Sequence, residues 1–239
     1  MTEPRTLSVV IPAYKEEKRL HKTIEAIEKY KTSHAIQIET IIVVDGSPDR
    51  TAEIAKELTS NLDNYRVIDR KQNHGKGYTV REGMLEAKGD YILFTDADNS
   101  TPFAQVDKLL KEIDNFEVPI HCEGGRLAQP QPLYRIIGSR ALNLVIQLLA
   151  DRGIKDTQCG FKLFQKVAAK EIFKRLTFER FSFDIELLAI ARKLGYRTKE
   201  VGIIWYDDPH STVNPVRDGL RMVTDAWRVR KNIFSGRYK

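Results

Sequence analysis

Short runs of consecutive apolar side chains alternate along the first half of the chain with longer stretches in which apolar positions recur every three or four residues. Residues 7–11 (Leu-Ser-Val-Val-Ile) form the first run, closed by Pro12. Leu20, Ile24, Ile27 and Tyr30 then recur at helical spacing among charges and predict a helix over 16–31. A second run spans 38–44 and ends in Asp45-Gly46-Ser47-Pro48-Asp49, a turn-rich segment that places Asp49 as a cap before a helix over 51–62. Val67 and Ile68 predict a short third strand, 78–87 a third helix, and 91–95 a fourth strand that ends in Asp96-Ala97-Asp98. Apolar runs of this length are what a parallel sheet buried on both faces requires. The alternation predicts a three-layer α/β/α fold with a mostly parallel central sheet and right-handed crossovers. In such open sheets ligands sit beyond the carboxyl ends of the strands, where the acids at 45, 96 and 98 fall.

The pattern changes after Phe116. Residues 119–132 hold Gly124-Gly125, Arg126 and three prolines, and read as a long functional loop. Helices are expected over 137–149, 167–176 and 183–194, a short extended segment over 160–164, and a strand over 198–205. An amphipathic helix over 216–234 closes the chain, and no composition shift marks a boundary, so the whole of 1–239 reads as one domain.

Composition narrows the class. At 239 residues, 41% hydrophobic and 30% charged, with 14 glycines and 9 prolines, the chain is neither disordered nor fibrous. Its most apolar stretch, 141–150, is about half of the roughly 20 residues a membrane-crossing helix needs and carries Asn143 and Gln147. The first residues carry no charged leader with an apolar core, which points to the cytoplasm. Two cysteines, Cys122 and Cys159, lie in no metal or redox spacing and read as buried thiols. The net charge of +6 suits a phosphate-bearing ligand or an anionic surface without choosing between them.

Asp96-Ala97-Asp98 carries the sharpest chemistry. Extended chain sends side chains i and i+2 to the same side, so both carboxylates can face one hard divalent cation such as Mg²⁺ or Mn²⁺. The alternative is a capped turn, with Asp98 or Ser100 capping a helix that begins near Pro102. Asp45 either accepts hydrogen bonds from a base edge or closes a turn into Gly46. Pro12-Ala13-Tyr14 with Glu16 and Glu17 offers a ring to pack on a base and a carboxylate for a ribose hydroxyl, or is an acidic helix start favoured by the macrodipole. Gly75-Lys76-Gly77 fits neither a P-loop nor a dinucleotide fingerprint, so ATPase and hydride-transfer readings lose ground.

Together, Val9-Val10-Ile11-Pro12-Ala13-Tyr14-Lys15-Glu16-Glu17, Ile42-Val43-Val44-Asp45-Gly46-Ser47, Asp96-Ala97-Asp98 and Asp156-Thr157-Gln158-Cys159-Gly160-Phe161-Lys162-Leu163-Phe164 resemble the inverting family 2 glycosyltransferases. Within that family the last string is similar to the polyprenyl-phosphate sugar synthases, on the dolichyl-phosphate β-glucosyltransferase branch. The resemblance runs in order over nearly the whole chain. It implies a GT-A-like fold that passes a hexose, glucose favoured, from a UDP-sugar to a polyprenyl phosphate with Mg²⁺ or Mn²⁺. It divides the chain into a nucleotide-sugar half (1–115), an acceptor half (116–214) and the basic tail (215–239). By motif matching, Pro12, Tyr14, Glu16 and Asp45 surround the nucleoside, while Asp96 and Asp98 hold metal and diphosphate; Lys76 is expected among the nucleotide-binding residues as well. Arg126, in Gly124-Gly125-Arg126, and Arg135 meet the acceptor phosphate in preference to Gly138-Ser139-Arg140. Asp156 organises the acceptor end or fixes the loop before Gly160. A phosphate monoester, with a second pKa of about 6, is ionised at neutral pH and attacks without a strong base, so the implied reaction needs alignment and neutralisation.

Three departures from the resembled pattern stand out: Lys15 replaces the usual Asn, Asp45 is followed by Gly46 instead of a second acid, and His210-Ser211-Thr212 replaces Gly-Ser-Lys. They keep open a non-catalytic nucleotide-sugar-binding protein, and the fold itself leaves open a donor of the GDP-mannose type or a saccharide acceptor. His21, His34, His74 and His121 have no ligand spacing. The tail carries Arg217, Arg221, Arg228, Arg230, Lys231, Arg237 and Lys239 with Leu220, Val223, Trp227, Ile233 and Phe234. It either lies peripherally on an anionic membrane or docks on the core with solvated arginines. No nucleic-acid partner is expected, because the basic residues are spread and no recognised module is present.

Overall fold

The computed structural model describes residues 5–121, 159–206 and 215–238, with the backbone alone at 119–121 and 215–221. Seven strands form one sheet: β1 (Thr6–Ala13), β2 (Gln37–Asp45), β3 (Tyr65–Arg70), β4 (Tyr91–Thr95), β5 (Val118–His121), β6 (Phe161–Gln165) and β7 (Thr198–Val201). Their order is β3-β2-β1-β4-β6-β5-β7. The first four are mutually parallel, β6 runs antiparallel to both of its neighbours, and β5 pairs parallel with β7. The helices are α1 (Leu20–Ser33), α2 (Thr51–Thr59), α3 (Lys76–Glu86), α4 (Val106–Leu110), α5 (Lys166–Arg175), α6 (Phe183–Lys193) and α7 (Pro215–Phe234).

Period-two alternation sorts each central strand between two apolar layers. Val10, Ile41, Val43, Ile92, Phe94 and Phe164 face a core shared with α3, α5, α6 and α7. Leu7, Val9, Ile11, Ile42, Val44, Leu93, Phe161 and Leu163 face one shared with α1, α2 and α4. Each such side chain, fully removed from water, contributes roughly 1.5–3 kcal/mol. Both faces of the sheet are therefore closed, and its carboxyl edge is left for a ligand. From β1 the chain winds through β2 to β3 on one side and places β4 on the other, so a switch point falls between β1 and β4. Because β6 is antiparallel, with Thr95 opposite Phe161, its first residues return to that same edge.

The elements depart from the periodicity where tertiary context overrides it. Residues 16–19 form a hydrogen-bonded turn ahead of α1, with Glu16 C=O accepting from Arg19 N and Leu20 N, each at 3.0 Å. β3 is longer than Val67 and Ile68, because all of Tyr65–Arg70 pairs with β2. The expected loop from 119 begins instead as β5: pairing with β6 and β7 overrides the breaking tendency of Pro119. The strand expected over 198–205 ends at Val201, before Gly202. The helix expected near Pro102 is a 3₁₀ turn over Phe103–Gln105 that leads into α4. The expected helix over 137–149 lies outside the described residues.

Candidate active site

The carboxyl ends of β1, β2 and β4, the amino end of α3 and the start of β6 meet at the switch-point edge. Asp96, one residue beyond β4, donates its N–H to Gly160 C=O at 3.0 Å and receives the Lys76 ammonium on Oδ1 at 2.6 Å. Lys76 is the first residue of α3, so the helix start delivers its cation to the acid. A Cβ on Gly160 would overlap the Asp96 carboxylate, so glycine there is a condition for the close passage of β6 beside the acid. Thr23 on α1 donates to Ala97 C=O at 2.7 Å and ties that helix to the acidic turn.

Asp98 accepts from Ser100 N at 2.9 Å, so the turn-capping role is present. Its other oxygen lies 4.0 Å from Arg19, which grips Glu16 through two bonds of 2.7 and 2.8 Å. Burial, then the Asp96 charge, pushes the Asp98 carboxyl above its ordinary value. Burial also raises Glu16, to about 7, against the pull of Arg19 and with help from Asp98 and Asp96. Burial opposes charge on Lys76, but Asp96 and then Asp184 hold its ammonium above the usual lysine value. The Asp98 carboxyl, crowded by Asp96 and raised in proton affinity, is a group whose charge a divalent cation relieves, so the pair at 96 and 98 fits one. Among the described residues no group of three or more His, Cys, Asp or Glu side chains is set to hold a metal.

Asp45 ends β2 nearby but is turned to its own loop. Its carboxylate accepts from Arg70 at 2.7 Å, His74 N at 2.9 Å and Gly75 N at 2.8 Å. These bonds replace the expected turn into Gly46 and hold the segment that leads to Lys76. Gly46 has φ +58, and a Cβ there would stand 2.5 Å from the Gln72 backbone, so the missing second acid is a packing requirement of this loop. Lys15, the other departure within the described residues, also adopts φ 60. Tyr14 is exposed with the Lys15 ammonium 5.5 Å above its ring, and Pro12 lies in β1 opposite Val43. Arg126, Arg135, Asp156 and residues 210–212 lie outside the described residues.

The geometry adds Arg19, Lys162 and Asp184 to the expected residues. Lys162 on β6 is fully buried, 5.2 Å from the Phe94 ring centre, and donates to Cys159 C=O and at 2.7 Å to Asp184. Burial raises the Asp184 carboxyl while Lys162 and Lys76 pull it down. Alternating charge thus runs from Lys162 through Asp184 and Lys76 to Asp96. Lys162 sits in the string 156–164 that carries the resemblance to the polyprenyl-phosphate sugar synthases, so the sequence marks its neighbourhood. Asp184 looks like an ordinary acid in a helix's first turn, and nothing in its neighbours announces burial.

On α7, Met222, Ala226 and Val229 are buried against α6 and its core, while Trp227 and Phe234 are exposed beside Arg228, Arg230 and Lys231. Among the described residues no helix is long and apolar enough to cross a membrane.

The sequence profile described as Glycosyl transferase family 2 matches residues 8–173. The chain is 36% identical over 253 residues to the dolichyl-phosphate beta-glucosyltransferase of Dictyostelium discoideum, covering 98% of this chain and 76% of that protein. The enzyme of the same name from Homo sapiens is 33% identical over 253 residues, with 98% and 78% covered. Among solved structures, mannosyl-3-phosphoglycerate synthase from Rubrobacter xylanophilus superposes with a TM-score of 0.72 at 17% identity, covering 98% of this chain and 75% of that one. Glucosyl-3-phosphoglycerate synthase from Mycobacterium tuberculosis, crystallised with Mn²⁺, UDP-glucose and phosphoglyceric acid, gives 0.68 at 19% identity, with 96% and 79% covered. At such identities the two structures show a shared GT-A fold.

Proposed function

The chain belongs to glycosyl transferase family 2, and from that premise we propose that it transfers glucose from UDP-glucose to a polyprenyl phosphate of the dolichyl type with inversion. The observation that carries the reading is the meeting of Lys76, Asp96, Asp98, Arg19 and Glu16 at the switch-point edge. The names of the relatives support the acceptor, and the UDP-glucose complex of a protein with the same fold supports the donor.

Asp96 and Asp98 hold a divalent cation, Mg²⁺ or Mn²⁺, which when bound supplies neutralising charge for the departing diphosphate. Lys76 stands beside Asp96 as a second, protein-borne positive charge for the same diphosphate. Glu16, kept in place by Arg19, faces the donor's ribose, and Tyr14 and Asp45 border the nucleoside. Asp45 acts there by fixing the backbone of 74 and 75, since its oxygens are taken by internal donors. Arg126 and Arg135 hold the acceptor phosphate in line with the anomeric carbon, and Asp156 orders that end of the site. The acceptor oxygen displaces UDP in one step, which inverts the anomeric centre.

The acceptor is a lipid, and the exposed face of α7 meets the surface that contains it. Trp227 and Phe234 enter the interface, and Arg228, Arg230 and Lys231 face anionic headgroups, each adding about 1 kcal/mol. Radiolabel transfer from UDP-glucose to dolichyl phosphate with Mn²⁺ tests the whole reading. Faster transfer from GDP-mannose, or nucleotide binding without turnover, would overturn it.

A further inference from the structure

Glu186, in the first turn of α6, is fully buried and takes no part in the mechanism above. Four uncharged donors meet its side chain. Thr177 N and Phe178 N, each at 2.7 Å, bond to Oε2, and the hydroxyls of Thr177 and Tyr238, at 2.6 and 2.8 Å, bond to Oε1. A buried acid persists where such bonds offset its lost hydration, and here they come from two directions. Thr177 and Phe178 belong to the connection between α5 and α6. Tyr238 belongs to the turn after α7, where Gly236, at φ +72, reverses the chain and folds the tyrosine back into the core. Asn232 donates to its hydroxyl at 3.0 Å.

The connection that Glu186 holds is the seat of α3. The first N–H groups of a helix have no partner within it, and Gly75, at the cap position, brings no side chain to serve them. Tyr78 N donates instead to Glu179 C=O at 3.1 Å. A Cβ on Gly75 would stand 2.5 Å from that same oxygen, and one on Gly77 would overlap the Phe178 oxygen. The two glycines therefore let the turn rest directly on the connection and leave no slack between them, so displacement of one moves the other. From the other side, Ser182 donates to Asp225 on α7 at 2.6 Å, and Arg228 lies 5.1 Å from the Phe178 ring centre.

We infer that Glu186 is a positioning residue for the donor site: it clamps residues 177–180 beneath the first turn of α3, and Tyr238 locks the clamp when α7 is docked. This rests on the donor site proposed above and deepens it, because the amino end of α3 is one of that site's walls. Undocking of α7 withdraws the Tyr238 hydroxyl, and the seat loosens with it. Nucleotide binding is thereby coupled to the packing of the tail helix.

The test compares Glu186→Gln and Tyr238→Phe with Tyr30→Phe, which removes a hydroxyl bond to Asp107 in the opposite core layer. Two quantities are read on each folded protein: UDP affinity with Mn²⁺ by calorimetry, and hydrogen exchange of the Tyr78 amide without ligand. Glu186→Gln is expected to weaken UDP binding about tenfold and Tyr238→Phe about threefold, each speeding exchange at Tyr78 by at least the same factor. Tyr30→Phe is expected to lower the thermal midpoint and to change both readings by less than about 1.5-fold. If Glu186 only stabilises the fold, Tyr238→Phe will lower the thermal midpoint and keep the wild-type UDP affinity. That result would overturn this inference alone and leave the donor site standing. Absence of UDP binding by the wild-type chain would remove the donor-site reading and this inference with it. If Glu186→Gln does not fold, Tyr238→Phe decides, since it withdraws one donor and keeps the buried ring.

Discussion

Glu16→Gln should flatten the pH dependence of stability between mildly acid and mildly alkaline solution. Glu16 ionises at about 7 in the folded protein against an ordinary glutamate value of 4.5, chiefly because its carboxyl is buried, with Asp98 and Asp96 adding repulsion that Arg19 only partly offsets. Below the lower value both folded and unfolded chains hold the proton, and the group contributes nothing to the balance. Between the two values the folded chain holds the proton and the unfolded chain does not, so stability falls as the pH rises. Above about 7 the full penalty of an ionised Glu16 is present. At about 1.4 kcal/mol per unit the displacement corresponds to roughly 3 kcal/mol, and solvent screening at the edge of the site brings it to about 2 kcal/mol. Glutamine imitates the protonated acid at every pH. The variant should match wild type near pH 4 and exceed it by about 2 kcal/mol near pH 8.5 in urea unfolding followed by circular dichroism. A difference between the proteins that stays constant over this range would refute the argument. So would a larger advantage at the acid end, which would mean that Arg19 outweighs burial.

Further changes probe the rest of the edge. Asp98→Ala should weaken Mn²⁺-dependent UDP binding at least about tenfold by calorimetry, with the thermal midpoint unchanged or raised, since a crowded carboxylate is removed; unchanged affinity would exclude Asp98 from the cation site. Gly160→Ala should cost about 1–3 kcal/mol and weaken the same binding, because the new methyl group displaces the Asp96 carboxylate; a stable variant with normal UDP affinity would show that β6 does not position that acid. Lys15→Asn should stabilise the fold by about 0.5–1 kcal/mol, because asparagine tolerates the left-handed backbone at this position better than lysine does; a loss of stability would assign the Lys15 side chain, which lies over Tyr14, a larger role than its backbone strain. Trp227→Ala with Phe234→Ala should abolish flotation with vesicles of about 30% anionic lipid while leaving the thermal midpoint within about 2 °C, as both side chains are exposed; equal flotation would argue that α7 does not meet the membrane.

What the sequence shows of the site depends on whether a residue's partners are near in the chain. The acids at 45, 96 and 98 are legible because a buried apolar run stops directly before them, and an open α/β sheet binds ligands beyond its carboxyl edge. Lys76 stands out only through its glycine neighbours, since its partner Asp96 lies twenty residues away and a strand separates them. Arg19 is a helix-start residue by pattern, and its link to Asp98 exists only after β1 and β4 have paired side by side. Lys162 has the strongest conflict between local and global signals. A charged residue in an apolar strand reads as solvent-facing, whereas antiparallel insertion beside β4 seals it over Phe94 and leaves Asp184 as its compensation. The same insertion brings Gly160 against Asp96, so one topological event, the reversed β6, positions an acid and buries the lysine behind it. Periodicity cannot express that event, because residues 160–164 have the same alternation whichever way the strand runs. The reversed strand is thus where the fold and the chemistry depend on each other most: turning β6 parallel would move its first residue to the far edge of the sheet and take both constraints away from the donor site.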